Sequence, residues 1–162
     1  MQTYKTYTIG EVSEMLGITI DTIRYYDKEG LLPFVKRDKG GRRVFTHDNV
    51  QLMRMIMDLK HAGVPVKEIA HFVSWRLDGD DSLGERYAFL DKHEKILEQK
   101  IADLEQSLAY LRFKKWYYKT AIEAGTEKIH IDGATNHVCT ATYDEYQALL
   151  DEGQSAIDLG NF

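Results

Sequence analysis

Tyr7-Thr8-Ile9-Gly10-Glu11-Val12, Gly17-Ile18-Thr19 and Thr22-Ile23-Arg24-Tyr25-Tyr26-Asp27-Lys28-Glu29-Gly30-Leu31-Leu32, followed by Gly41-Arg42-Arg43-Val44-Phe45-Thr46, decide how this chain folds. Ile9, Val12 and Leu16 recur at helical spacing, so residues 9–16 read as one amphipathic helix. Gly17 follows its last apolar residue, where a left-handed residue closes a helix. Thr19 is a good N-cap for a second helix over residues 19–29, because its hydroxyl can accept an orphan N–H of the first turn. Ile20, Ile23 and Tyr26 or Asp27 mark the inward face of that helix, and Asp21, Thr22, Arg24, Tyr25 and Lys28 the outward face. Gly30 stops it, and Leu31-Leu32-Pro33 begins an extended segment. Helix, break and helix at this spacing is the arrangement that presents a second helix, N-terminal end first, to a DNA major groove.

The next stretch supplies a companion. Leu32-Pro33-Phe34-Val35 and Val44-Phe45 flank Lys36-Arg37-Asp38-Lys39-Gly40-Gly41-Arg42-Arg43, so apolar runs bracket a Gly-Gly turn and the whole reads as a hairpin. Five cations, Lys36, Arg37, Lys39, Arg42 and Arg43, stand at its tip against one acid, Asp38. A tip of that charge suits phosphate contact or a narrow minor groove.

These motifs resemble the MerR family of transcriptional regulators. Beyond those already quoted, Ala62-Gly63 followed by Glu68-Ile69 carries the resemblance, which runs residue by residue over about 5–75 and by pattern over about 82–124. The resemblance implies a mainly α chain with a winged helix-turn-helix DNA-binding domain. A long dimerisation helix forming an antiparallel coiled coil and a short C-terminal extension would follow. It implies that Arg24 and Tyr25 grip the DNA backbone and that Arg43 is the wing arginine. Thr19, Asp21, Thr22, Lys36, Arg37, Lys39, Arg42 and, further on, Lys60 complete the expected DNA-binding set. Two positions depart from the commonest pattern. Asp21 stands where a basic or polar residue is usual, though it could accept from a cytosine amino group. Arg42 stands where the family often has tyrosine.

Thr46 caps a further helix over residues 47–61, Gly63 ends it, and Val64-Pro65 opens a shorter one with Val66, Ile69, Ala70 and Val73 inward. This pair resembles the family's second helix-turn-helix, with Lys60 and Lys67 as candidate phosphate contacts. Asp78-Gly79-Asp80-Asp81 breaks the pattern, and Ser82 with Glu85 is placed to form a capping box. From there Leu83, Leu90, Leu97, Leu104, Leu111 and Tyr118 repeat every seven residues. Tyr87, Glu94, Ile101, Leu108, Lys115 and Ile122 form the companion row. Rows alternating by four and three make a coiled-coil seam of about six heptads on a helix about 60 Å long. Such a helix has no core of its own for its stripe, so a homodimer is expected. Periodicity alone leaves orientation open; an antiparallel pair is what the resemblance implies, and there Glu94 and Lys115 could face each other. The expected organisation is a DNA-binding domain over 5–76, the dimerisation helix over 82–124 and a tail over 125–162.

The 162 residues carry a net charge of −5, which by itself argues against nucleic acid. The split resolves this: residues 1–76 hold 12 Lys/Arg against 9 Asp/Glu, and residues 77–162 hold 9 against 17. Local charge governs contact, and the modest excess of the first part points to two heads acting together. No apolar run approaches the roughly 18 residues of a membrane span, no signal peptide is evident, and the single cysteine, Cys139, cannot form an internal disulfide. A cytoplasmic setting is expected.

In the MerR family the end of the chain sets what is sensed. Metal-sensing relatives carry cysteines at the start of the dimerisation helix and after it; here only Cys139 qualifies, and His130, Asp132, His137 and Cys139 match no strong ligand motif. No metal or other cofactor is expected. Three readings remain: a reactive Cys139 thiol, an aromatic effector pocket of Trp75, Trp116, Tyr117 and Tyr118, or a structural tail without an effector. Residues 128–132 read as a short strand and residues 143–150 as a short helix. The leading function is a homodimeric regulator that binds an inverted repeat in promoter DNA beside RNA polymerase, distorting it to repress or activate. The alternative is a DNA-binding architectural or excision factor. Enzyme chemistry has only His137-x-Cys139 behind it, with no acid or base partner fixed by spacing, and is not expected.

Overall fold

The computed structural model describes residues 5–162. Helix α1, Ile9–Leu16, begins at Thr8, whose hydroxyl accepts the Glu11 N–H at 3.3 Å while the Glu11 carboxylate accepts the Thr8 N–H at 2.7 Å. That reciprocal box satisfies two orphan donors, and the Thr8 N–H holds the Glu11 carboxyl below its ordinary range. Gly17 closes α1 at φ 64°, a left-handed value that favours glycine. Helix α2, Ile20–Lys28, follows Thr19, whose hydroxyl accepts the Thr22 N–H at 3.1 Å.

Three short strands complete the head: β1, Thr6–Tyr7, β2, Lys36–Arg37, and β3, Arg43–Thr46. The sheet order is β1-β3-β2, all antiparallel, with Tyr7 opposite Phe45 and Arg37 opposite Arg43. The expected hairpin is present, but β1 adds a third strand that two residues could not announce by periodicity. Helix α3, His47–His61, starts from a capping box between Thr46 and Asn49. Gly63, at φ 86°, turns the chain into α4, Val66–Leu77. Val12, Ile23, Leu31, Phe45, Val50, Met53, Ile56 and Ile69 are fully buried in one core. Each such side chain contributes about 1.5–3 kcal/mol relative to exposure.

Helix α5, Leu83–Ala124, follows a 3-10 turn over Gly79–Ser82. The capping box expected from Ser82 and Glu85 does not form. Ser82 is buried, and its hydroxyl donates back to the carbonyls of Trp75 (2.5 Å) and Gly79 (3.0 Å), so it ties the end of α4 to the turn. The start of α5 packs on α4. Phe89 lies 4.9 Å from the Phe72 ring and 6.0 Å from Trp75, and Glu68 accepts from Lys92 and His93, each at 2.9 Å.

Two compact units divide within α5, one ending at Leu97 and the other beginning at Glu98. The boundaries expected at 76/82 and 124/125 followed the elements. Packing divides the chain differently, because the start of α5 belongs to the head core and its later turns carry the tail. In the second unit, residues 128–132 are not a strand: Glu127–His130 is a 3-10 turn begun by Thr126, followed by a single bridge between Ile131 and Val138. Helix α6, Thr140–Asp151, matches the expected helix, and a short α7, Ala156–Gly160, follows. Phe113, Trp116 and Tyr117 of α5 pack with Tyr146 of α6 as a small aromatic core. Among the described residues no helix is long and apolar enough to cross a membrane.

Candidate nucleic-acid interface

The outer face of α2 is the one the periodicity placed there. Asp21, Arg24, Tyr25 and Lys28 are exposed and Thr22 is half-buried. Thr19 and Thr22 share a hydroxyl–hydroxyl bond at 2.8 Å, which braces the first turn. Arg24 bonds Asp21 at 3.0 Å, with both side chains mostly in solvent. An exposed pair of this kind contributes only about 0–1 kcal/mol, so the guanidinium is readily exchanged to a phosphate. Lys60, reaching from α3, lies 5.8 Å from the Tyr25 ring and 5.1 Å from the Tyr26 ring. The tyrosine pair therefore joins a lysine of the third helix to the face of the second.

The wing is built around Asp38. Its backbone N–H donates to the Arg42 carbonyl at 2.8 Å, and its Oδ1 accepts the N–H groups of Gly40 (2.8 Å) and Arg42 (2.9 Å). Oδ2 accepts Arg42 Nε at 2.9 Å. These bonds, the Arg42 backbone N–H foremost, hold the Asp38 carboxyl below its ordinary range. Gly41 takes φ 76° at the turn, where a side chain would be strained. Lys36, Lys39 and Arg42 are exposed on this wing.

Arg37 and Arg43 are differently placed. Arg43 Nε and Nη2 donate to Asp27 Oδ2 at 2.8 and 2.5 Å, and Arg37 Nη2 donates to the same oxygen at 3.1 Å. Arg37 Nη1 also donates to the Gly41 carbonyl at 3.0 Å. The Arg43 side chain is only 20% exposed. It straps the wing to the end of α2, with its guanidinium turned back to the protein. Sequence reading left Asp27 at the margin between the two faces of its helix, and no local signal marks it as the wing's anchor.

Arg24, Arg42 and Arg43 border one cleft of about 460 Å³, with Tyr7, Thr8 and Ile9 on its other wall. Asp38 lines the cleft as well, and because Arg43 is engaged by Asp27, the guanidiniums of Arg24 and Arg42 are the ones open to an anion there. Tyr7 and Thr8 belong to that wall only because β1 pairs with β3, so spacing could not single them out.

The seam residues lie open. Leu83, Leu90, Leu97, Ile101, Leu104, Leu108 and Leu111 are all exposed, Leu104 at 69%. The residues expected around an effector fall in different cores. Trp75 packs edge-on to His71 and lines an open hollow of about 610 Å³ with Lys67, Phe89 and Lys92. Trp116 and Tyr117 are buried in the second core, where burial, helped by the Tyr117 hydroxyl's bond to Glu127, pushes the Tyr117 phenol up to about 12. His130 stacks on Tyr117 at 4.3 Å. Its Nε2 donates towards the Tyr117 carbonyl and Thr120, and its Nδ1 faces the Thr142 hydroxyl. Cys139 is half-buried at the start of α6. Among the described residues no group of three or more His, Cys, Asp or Glu side chains is placed to hold a metal.

Residues 7–74 match the model of the MerR HTH family regulatory protein, and residues 50–112 match that of the MerR DNA-binding family. An uncharacterized HTH-type transcriptional regulator of Haemophilus influenzae is 37% identical over 123 residues, 76% of this chain and 91% of the relative. The uncharacterized HTH-type regulator YyaN of Bacillus subtilis is 30% identical over 75% of this chain and 96% of its own length. Among solved structures, that of HiNmlR, a MerR family regulator lacking the sensor domain, bound to promoter DNA, superimposes with a TM-score of 0.66. It is 37% identical over 77% of this chain and 99% of that one.

Proposed function

The chain belongs to the MerR family of DNA-binding transcription regulators, and from that premise we propose that it works as a homodimer on an inverted repeat within promoter DNA. The observation that carries this is the exposed seam of α5: seven apolar residues from Leu83 to Leu111 stay in solvent in the single chain. A second copy removes them from water at about 25 cal/mol per Å². Two heads joined through such a seam reach two half-sites on one face of the duplex.

The contacts divide by chemistry. Thr19, Asp21 and Thr22 stand on the groove-facing side of α2, and Arg24 beside them meets the DNA backbone. Tyr25 with Lys60, and Lys36, Lys39 and Arg42 on the wing, meet phosphates. Asp27 holds Arg37 and Arg43 so that the wing keeps its angle. Rigidly spaced heads impose bend and twist on the DNA between them, and RNA polymerase at the promoter reads that shape. An effector acts in this scheme by changing the spacing of the heads, with the hollow beside Trp75 and the tail as its candidate regions.

A DNase footprint on the DNA upstream of the chain's own gene tests the reading. A dyad-symmetric protected site with hypersensitive bonds at its centre is expected. An asymmetric, unspaced footprint would instead favour an architectural or excision factor.

A further inference from the structure

Two apolar grooves of opposite charge lie along the α5 seam. In the first unit, Leu59, Ala62 and Val64, at the junction of α3 and α4, join Tyr87, Leu90 and Leu97 of α5 around a groove of about 440 Å³. Its charged rim is Glu94 together with Asp91, which also bonds Lys95 at 2.7 Å. In the second unit, Leu111, Tyr118 and Ile122 join Phe162 around a groove of about 600 Å³ whose charges are Lys114, Lys115 and Lys119.

The segment that ends the second groove is held in place. A Cβ on Gly160 would meet Lys115 Cβ at 3.0 Å, tighter than an ordinary contact, so glycine suits the close approach of this segment to α5. Lys115 Nζ then donates to Asn161 Oδ1 at 2.8 Å. Those two contacts fix the segment on the helix yet leave the Phe162 ring 85% exposed.

We propose that Gly160-Asn161-Phe162 of one copy seats in the acidic groove at the base of the other copy's DNA-reading head. The proposal rests on the homodimer reading above. An antiparallel pair centred near Leu104 sets residues 87–97 of one copy against residues 111–122 of the other, carboxylates facing ammonium groups at both ends. A parallel pair sets like charge on like. Complementary charge therefore selects the antiparallel arrangement, and the apolar linings of the two grooves cover each other. The tail thereby becomes part of the interface and touches the head of its partner.

The test uses full-length chains in a Cys139→Ser background. Ala62→Cys protomers are mixed with Phe162→Cys protomers and treated with a short bis-maleimide. An interchain product is expected from the mixture and none from Phe162→Cys alone. Phe162→Asp is expected to weaken the dimer about tenfold, as for removal of an aromatic anchor. A dimer that gives no 62–162 product, or whose dissociation constant Phe162→Asp leaves unchanged, overturns the proposal and leaves the homodimer standing. An unmodified chain that sediments as a monomer overturns the homodimer reading itself.

Discussion

Asp27 and Arg43, sixteen residues apart, meet at one oxygen: Arg43 Nε and Nη2 both donate to Asp27 Oδ2, and Arg37 adds a third donor. Helix α2 and the wing are thus tied to each other at a single carboxylate. Charge-assisted bonds of this kind, partly shielded from solvent, are stronger than neutral ones and fix direction as well as distance.

Asp27→Ala releases both arginines, so the wing loses its angle. DNA affinity is expected to fall about tenfold, with the two helices of the head intact. Arg43→Ala should have a similar effect, and the double variant should lose little more than either alone, because one interaction is removed once. Strictly additive losses in a titration against operator DNA would disprove the strap. Arg43→Lys should not restore binding, since an ammonium lacks the planar fork.

Arg24 and Arg42 each keep a largely exposed guanidinium, Arg24 beside the exposed Asp21 and Arg42 beside the partly shielded Asp38. Each alanine variant is expected to weaken binding similarly across operator sequences and to reduce the slope of log affinity against log salt by about 1. Asp21→Asn, in contrast, is expected to change base preference more than salt slope. Affinity measured at several salt concentrations separates the two classes.

Leu104 is 69% exposed and lies mid-seam. Leu104→Asp should leave the head folded and yield monomers in sedimentation, with binding reduced to that of a single half-site. Glu94→Lys should weaken the dimer, and adding Lys115→Glu should recover it. Failure of the pair to recover would show that the two positions do not meet.

Glu68 couples α4 to α5, and its carboxyl is held below the ordinary range by its bond from Lys92 first and from His93 second. A depressed carboxylate contributes stability above its unfolded pKa, and that contribution is lost as pH falls through the lower folded value. The packing of α5 on α4 should therefore loosen in acid, and Glu68→Gln should flatten that part of the profile. Trp75 fluorescence follows it directly; an unchanged acid limb in the variant would assign the loosening elsewhere.

Much of the head was legible because its signals are local. A capping threonine speaks three residues ahead, as Thr19 does to Thr22 and Thr46 to Asn49. Gly17 and Gly63 need only their own φ to end a helix. Ser82 shows the limit. It has the spacing of a cap, but once the chain folds its hydroxyl finds the Trp75 carbonyl seven residues back and donates there. The aromatic residues of α5 show another, since the sequence leaves Trp116 and Tyr117 open to a pocket or to packing, and α6 supplies Tyr146 to pack against them.

The sequence by itself determined the winged head, the long heptad helix and the outward face of α2, because hydrophobic period, caps and turn glycines act within a few residues of chain. Only the tertiary structure decided that Arg43 faces Asp27, that Tyr7 borders the arginine cleft, and that Gly160 lies against Lys115. Those pairings join residues far apart along the chain. They exist only once the core brings their backbones together, and no periodicity encodes the direction in which a side chain then finds its partner.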